Sequence, residues 1–335
     1  MGAKKLLVVL GSTGAQGGSV AEYALKHLSD KYAVRGLTRD TTKPAAQRLA
    51  SLGAEMVAAN FDDEVSVAKA LAGANLIFGI TNFWDQYSLE IEVRQGLLIA
   101  KVASELPHLE HFIYSSLPDA TQLAGGRYQN VLPYNAKTNI RDGMKKLYPQ
   151  LWEKTTTLFI SFYFENWLKY SAAFGPEKQP DGSYALIQPY KDTAAVSAVS
   201  STDTGLIAAE IFRGGAKYFN MSVSLVARHI TVGQMLKLWG ENYSAQLTSS
   251  SPKVLNVKTE FKEVTPAEFQ AHLEGKGFPA PLANATAELC QVMTLEDRYI
   301  EAEGILRGRE LLGPDVPIQS WEEYVKKEDW SSFLN

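Results

Sequence analysis

The chain has a single cysteine, Cys290, among its 335 residues. That excludes an intrachain disulfide, leaves no cysteine pair for a metal and fits a reducing compartment. The histidines, His27, His108, His111, His229 and His272, are scattered without the spacing of metal ligands, so no metal site is expected. No apolar run approaches the roughly 20 residues that cross a bilayer. The first residues lead straight into a strand pattern instead of the charged and apolar regions of a signal peptide. Gly2 is present, but Leu6 stands where a myristoylation signal needs Ser or Thr. There is no basic tract, and the net charge is −4, which argues against a nucleic-acid footprint. Repeats and low-complexity segments are also missing. These absences point to a cytoplasmic globular protein with no membrane or direct nucleic-acid partner, and 45% hydrophobic residues suffice for a sizeable core.

The first half alternates between two periodicities. Apolar runs in KKLLVVLG, YAVRGLTR, AEMVAANF, NLIFGITN and HFIYSSL read as five strands buried on both faces. Between them lie helical patterns such as Val20/Tyr23/Ala24/Leu28 and Ile91/Leu98/Val102, and His111 reads as a loop residue before the fifth strand. Strands alternating with helices of this length predict an α/β fold, a Rossmann-type doubly wound parallel sheet. A helix is expected from about Asn135 to Tyr148, followed by a sixth strand in TTTLFISFYFEN. Beyond Glu165 the pattern loosens. KQPDGSYALIQPY suggests a hairpin or an extended excursion, VSSTDTGLIAAEIFRG a capped helix and KYFNMSV a strand returning to the sheet. Thr231 and Gln234 have capping-box spacing, and TPAEFQAHL and LANATAELCQVMTLEDRYIEAEG read as helices. The expected division is a dinucleotide-binding domain over residues 1–165, with last strands returning from about 195–225. A smaller, helix-rich substrate or partner domain over 166–335 is partly interleaved with it.

GSTGAQGGSV places Gly11, Gly14 and Gly17 between the first strand and the first helix. Glycine permits a sharp turn and close backbone approach, and helix N-terminal amides attract a pyrophosphate. A lone glycine motif is weak, but the strand–turn–helix context is the one it requires. The end of the second strand then selects the cofactor. An acid there would accept a hydrogen bond from a free ribose 2′-hydroxyl. Instead Thr38 and Arg39 occupy that place, with Lys43 shortly after, and a guanidinium can hold a 2′-phosphate bidentately. NADP(H) is therefore expected in preference to NAD(H).

Together GSTGAQGGSV, LTRD, ANFDD, ITNFWDQ, YNAK and YFENW resemble the NmrA-like family of atypical short-chain dehydrogenases. The likeness is greatest to the branch holding the human redox sensor HSCARG and fungal homologues. The resemblance implies that Thr13, Gln16 and Gly17 contact the pyrophosphate and Arg39 the 2′-phosphate. It places Asn60, Phe61 and Asp62 around the adenine, Thr81 and Asn82 along the cofactor, and Lys137 on the nicotinamide ribose. Tyr163, Phe164, Glu165 and Asn166 would lie near the nicotinamide. The family divides between reductases and non-catalytic regulators that sense the NADPH/NADP ratio and bind protein partners, a role that would extend the location to the nucleus.

Short-chain reductases place a proton-donating tyrosine four residues before a lysine, with a serine on the preceding strand. Here PYNAK puts Tyr134 only three residues before Lys137, and Ser115 and Ser116 end the fifth strand. Two readings of Tyr134 stand side by side: proton donor, or packing residue in the first helical turn. Trp84 and Tyr87 read as pocket walls. The resulting expectation is an NADP(H)-dependent oxidoreductase moving a hydride to or from a carbonyl, imine or enone, with Lys137, Tyr134 and Ser115 as its machinery. The other reading is a non-catalytic NADP(H)-sensing protein that binds a partner.

Overall fold

The computed structural model describes residues 4–250, 257–295 and 304–333. Six strands come in order with the early pattern: β1 (Lys5–Val9), β2 (Tyr32–Thr38), β3 (Glu55–Ala58), β4 (Leu76–Gly79), β5 (His111–Ser116) and β6 (Thr155–Ile160). Helices α1 (Ala15–His27), α2 (Pro44–Ser51), α3 (Glu64–Leu71) and α4 (Leu89–Ser104) connect the first five, and the helix Leu132–Leu147 leads towards β6. Further strands follow: β7 (Phe162–Tyr163), β8 (Glu177–Lys178), β9 (Tyr184–Gln188), β10 (Ala195–Val199), β11 (Ser222–Leu225), β12 (Arg228–Thr231), β13 (Thr259–Glu263) and β14 (Ile305–Arg307). The main sheet has eight strands in the order β14-β11-β6-β5-β4-β1-β2-β3, and its pairings are parallel. The segment 3-2-1-4-5-6 is the Rossmann order, which reverses between β1 and β4.

Alternate side chains of β1 explain why both faces are covered. Leu7 and Val9 enter one core with Val20 and Ala24 of α1 and Ile207 of the helix Thr204–Gly214. Val8 and Leu10 enter the opposite core with Val67, Leu71, Ile99 and Ile140. Central strands β4, β5 and β6 are buried throughout, whereas β3, at the sheet edge, is half-exposed. The expectation of burial on both faces therefore fails for β3, the edge strand of the sheet among the described residues.

KYFNMSV does return a strand, since β11 pairs with β6 from Ser222↔Thr157 to Leu225↔Ile160. β14 then extends the sheet beyond it, a strand no sequence pattern announced. The hairpin expected around Pro180 forms from β8 and β9, with Gly182 at φ +84° in its turn. Thr231 and Gln234 exchange both bonds of a capping box. The helix expected from LANATAELCQVM ends at Met293, and its continuation past residue 295 lies outside the described residues. Two small sheets, β12-β10-β7 and β13-β9-β8, pack with helices around a core rich in aromatics. There Trp239 stacks on Tyr243 at 4.8 Å, and Trp321 donates to the Met235 carbonyl.

His111 is not a loop residue. It is the first residue of β5, 1% exposed, edge-on to Phe212 and Phe219. Thr156 donates its hydroxyl proton to the Tyr218 carbonyl, so it accepts from His111 Nε2–H at 2.7 Å. Burial pulls the imidazole from 6.5 down to about 4. Below pH 6.5 the unfolded chain binds a proton that the native histidine refuses until about pH 4. Stability is thus retained above that window and lost as pH falls through it, by about 3 kcal/mol in full. Urea unfolding at pH 7 and pH 4.5 should show a smaller acid loss for His111→Gln than for the parent. Equal losses would remove His111 from the acid response.

Candidate active site

Where the strand order reverses, β1 and β4 stay paired and the connections leaving their carboxyl ends flank a cleft, the usual ligand position in such sheets. Its volume is about 1420 Å³. That exceeds the roughly 300–1,000 Å³ of a site for one small ligand. Gly11, Thr13, Gly14, Gln16 and Gly17 line it on one side. Gly11 has φ +58°, the left-handed turn that glycine allows. A Cβ on Gly17 would stand 2.4 Å from the backbone oxygens of both Leu10 and Gly11, so this glycine lets helix and strand close together. Buried Ser12 donates through both its amide and its hydroxyl to the Leu37 carbonyl, pinning the turn to β2. α1 begins at Gly14 with neither a side-chain cap nor an acid in its first turn. Such an end, its dipole unopposed, is an anion site.

Arg39 and Lys43 line one end of the cleft, beside Asn60, Phe61 and Asp62. The Asp40 carboxylate turns to the Thr42 amide and hydroxyl. Asp62 is bound by Arg94 at 2.6 Å and Gln95 at 3.1 Å, and the Arg94 hydrogen bond is the main reason its pKa lies below the usual carboxylate range. Arg39, three-quarters exposed, reaches across the cleft mouth to Asp85, Nη1 to Oδ2 3.1 Å. Asp85 sits in the short turn Phe83–Asp85 after β4, which Asn82 caps.

At the other end Lys137, Ser115, Tyr134, Tyr163, Glu165 and Asn166 line the same cleft. Thr81 and Asn82 lie between the two ends. Lys137 is buried. Its Nζ donates to the Thr81 carbonyl at 2.5 Å and the Thr81 hydroxyl at 2.7 Å, and pairs with Glu92 at 3.0 Å. Burial lowers its pKa, against the opposing pull of Glu92. Ser115 donates to Gln16 Oε1 at 2.6 Å, and Gln16 Nε2 donates to the Tyr163 hydroxyl. The glycine turn is thereby tied to both β5 and β7. Burial pushes the Tyr163 phenol up to about 12, so it stays protonated at neutral pH. Tyr134 lies in the first turn of its helix, 5% exposed, packed with Ala120, Val131 and Val292. Glu165 accepts from the Ser200 hydroxyl and from the Ser201 amide and hydroxyl, anchoring the next turn. Phe164 turns away into the aromatic core against Trp321 and Tyr324.

Glu92 and Asp85 had no place in the sequence reading. Glu92 is 2% exposed on α4, and its Oε1 also accepts the Thr81 hydroxyl at 2.7 Å. The signal was available: Glu92 occupies a core-facing position with Gly96, Ile99 and Ala103. Lys137→Met should cost about 3 kcal/mol of stability by stranding the Glu92 carboxylate. Lys137→Met/Glu92→Gln should recover much of that loss in a denaturant titration. A double variant no more stable than the single one would remove the pair's energetic coupling.

The sheet order, the glycine turn and the cleft at the reversal define a Rossmann-type, dinucleotide-binding fold. The chain belongs to the NmrA-like family, whose model matches residues 3–325. It is 25% identical over 328 residues to an NmrA-like family domain-containing protein of Dictyostelium discoideum, covering 96% of this chain and 97% of that one. An NmrA-like family domain-containing oxidoreductase of Aspergillus hancockii is 36% identical over 126 residues, 37% of either chain. Among solved structures, the negative transcriptional regulator NmrA in complex with NADP aligns with TM-score 0.73 and 17% identity, covering 97% of this chain and 95% of its own. Escherichia coli NADPH-dependent quinone oxidoreductase QOR2, complexed with NADPH, aligns with TM-score 0.70 and 19% identity, covering 98% and 100%. At these identities the structural likeness establishes the fold. No helix among the described residues is long and apolar enough to cross a membrane.

Proposed function

We propose that the chain is an NADP(H)-dependent oxidoreductase that transfers a hydride to or from a small organic substrate, a carbonyl, imine or enone. One observation carries the reading. A single cleft joins the uncapped N-terminus of α1 and the cations Arg39 and Lys43 to Lys137, Ser115 and two phenols. The residues fit the cofactor: Gly14 lines the cradle without a side chain, and Arg39 and Lys43 offer positive charge for a 2′-phosphate. The oxidoreductase name of the Aspergillus relative and the NADPH held by QOR2 support the same reading.

When bound, NADPH supplies the hydride. Thr13, Gln16 and Gly17 hold its pyrophosphate, Arg39 and Lys43 its 2′-phosphate, and Asn60, Phe61 and Asp62 flank its adenine. Lys137 holds the ribose beside Thr81 and Asn82, which requires it to release one of its present partners. Tyr134 donates the proton that balances the hydride, with Ser115 orienting the acceptor and Tyr163, Glu165 and Asn166 closing the nicotinamide end.

Arg39→Ala should cost about 1–3 kcal/mol of NADPH affinity, the range of charge-assisted hydrogen bonds, and much less of NADH affinity. Part of the gross contact is offset, because Arg39 must leave Asp85, an exposed pair worth at most about 1 kcal/mol. Calorimetric titrations check this, and equal affinities of the parent for NADPH and NADH would sink the assignment. The enzyme reading is tested by following NADPH oxidation with a panel of carbonyls, imines and enones. Turnover of any of them supports it. If none reacts while NADPH changes the affinity for a captured protein, the protein is a sensor.

A further inference from the structure

Beyond Lys137 the cleft changes character. Its walls there include the large apolar side chains Phe162, Phe174, Phe278, Leu282, Leu289 and Met293. Phe162 and Phe174 meet edge to face at 5.3 Å. At the mouth, Trp84 from the turn after β4 faces Tyr170, with ring centroids 6.3 Å apart and planes at 35°. Both are about 40% exposed, in a protein that buries Trp167, Trp239, Trp321 and Trp330 almost completely. Large aromatic faces left open at a pocket mouth reward a planar partner, through stacking that a flexible chain cannot match.

Charge narrows the ligand further. Among the described residues lining this half and its mouth, the carboxylates are Glu165, committed to Ser200 and Ser201, and Asp85, next to Trp84 and paired with Arg39. Two ammonium groups line the same region. Lys276 is bound by Glu177 and the Ala172 carbonyl. Lys169 stands 5.5 Å from the Tyr170 ring centroid, a cation over that ring. The available charge is thus positive and lies beside the stacking surface.

We propose that this half of the cleft takes a flat aromatic acid, its rings laid against the exposed faces of Trp84 and Tyr170 and its anionic group at Lys169. The inference builds on the hydride-transfer reading by naming the substrate class, but the binding it asserts stands apart from turnover.

The test uses the full chain saturated with NADP, titrated with anthracene-2-carboxylate, its methyl ester, a trimethylammonium anthracene and decanoate. Binding is read by calorimetry and by quenching of tryptophan fluorescence. The carboxylate should bind at least about tenfold more tightly than the cationic anthracene or decanoate, about 1.4 kcal/mol. Tyr170→Ala and Trp84→Ala, both exposed positions, should each weaken it about fivefold or more while leaving NADPH affinity unchanged. Lys169→Met should abolish the preference for acid over ester and spare the ester itself. Equal binding of the three anthracenes, decanoate binding as well as the aromatic acid, or indifference to Tyr170→Ala would each overturn the proposal. Tight acid binding without NADPH oxidation by any acceptor would leave the site standing and remove the enzyme. NADPH oxidation by acceptors that never compete with the anthracene acid would do the reverse.

Discussion

Gly14→Val is expected to lower NADPH affinity by at least about a thousandfold, roughly 4 kcal/mol, while the protein still folds. The two halves of that statement have different physical origins. Gly14 has φ −93° and ψ −178°, an extended conformation that valine adopts readily, so the backbone does not forbid the change. A Cβ there would lie 3.2 Å from the Gly11 oxygen, tight but relievable by a small shift. The branched methyls would then occupy the cleft at the helix N-terminus, the space a pyrophosphate needs to reach the amides. Gly17→Ala should behave in the opposite way. Its Cβ would collide with two backbone carbonyls at 2.4 Å, in a turn already pinned to β2 by Ser12, so stability falls before binding can be asked about. Circular dichroism melts and NADPH titration of the two variants separate the cases. A folded Gly14→Val protein that binds NADPH normally would place the phosphate cradle elsewhere.

The Rossmann core was legible because its signals are local. β1, β4, β5 and β6 announce themselves as apolar runs, and the glycines sit at the one strand–helix junction that uses them. β14 was not legible: three residues, Ile305–Arg307, carry no periodicity, and only the open edge of β11 makes them a strand. α4 shows a subtler failure. Its apolar residues suggested a face through Ile91, Leu98 and Val102; of these the helix buries Val102, and its buried side otherwise runs through Glu92, Gly96, Ile99, Ala100 and Ala103. A glutamate on the core side looks like a break in the pattern until Lys137, 45 positions along the chain, is brought against it. Most of the residues that line the cleft could be named from motifs, but their pairings could not. Arg39 with Asp85, Ser115 with Gln16, and Gln16 with Tyr163 each join segments far apart in sequence, and nothing in either segment specifies its partner.

Those pairings sharpen the choice of proton donor, which Tyr134→Phe decides. The ring at position 134 packs against Ala120, Val131 and Val292, and phenylalanine preserves that packing, so stability and NADPH affinity should hold. Turnover of an acceptor found in the panel should fall by about 10²–10⁴-fold, the usual contribution of general acid catalysis. Tyr163→Phe should act differently. The Tyr163 hydroxyl accepts from Gln16, and Gln16 lies in the first turn of α1, directly after the glycine turn. Its loss should loosen the turn and raise the KM for NADPH more than it lowers kcat. Neither substitution removes a partner of Lys137, one helical turn beyond Tyr134, so the cation beneath the site remains a constant of the comparison. A Tyr134→Phe enzyme with unchanged kcat, beside a Tyr163→Phe enzyme that has lost it, would transfer the donor role to Tyr163. The Ser115–Gln16 chain would then be the support that aims it.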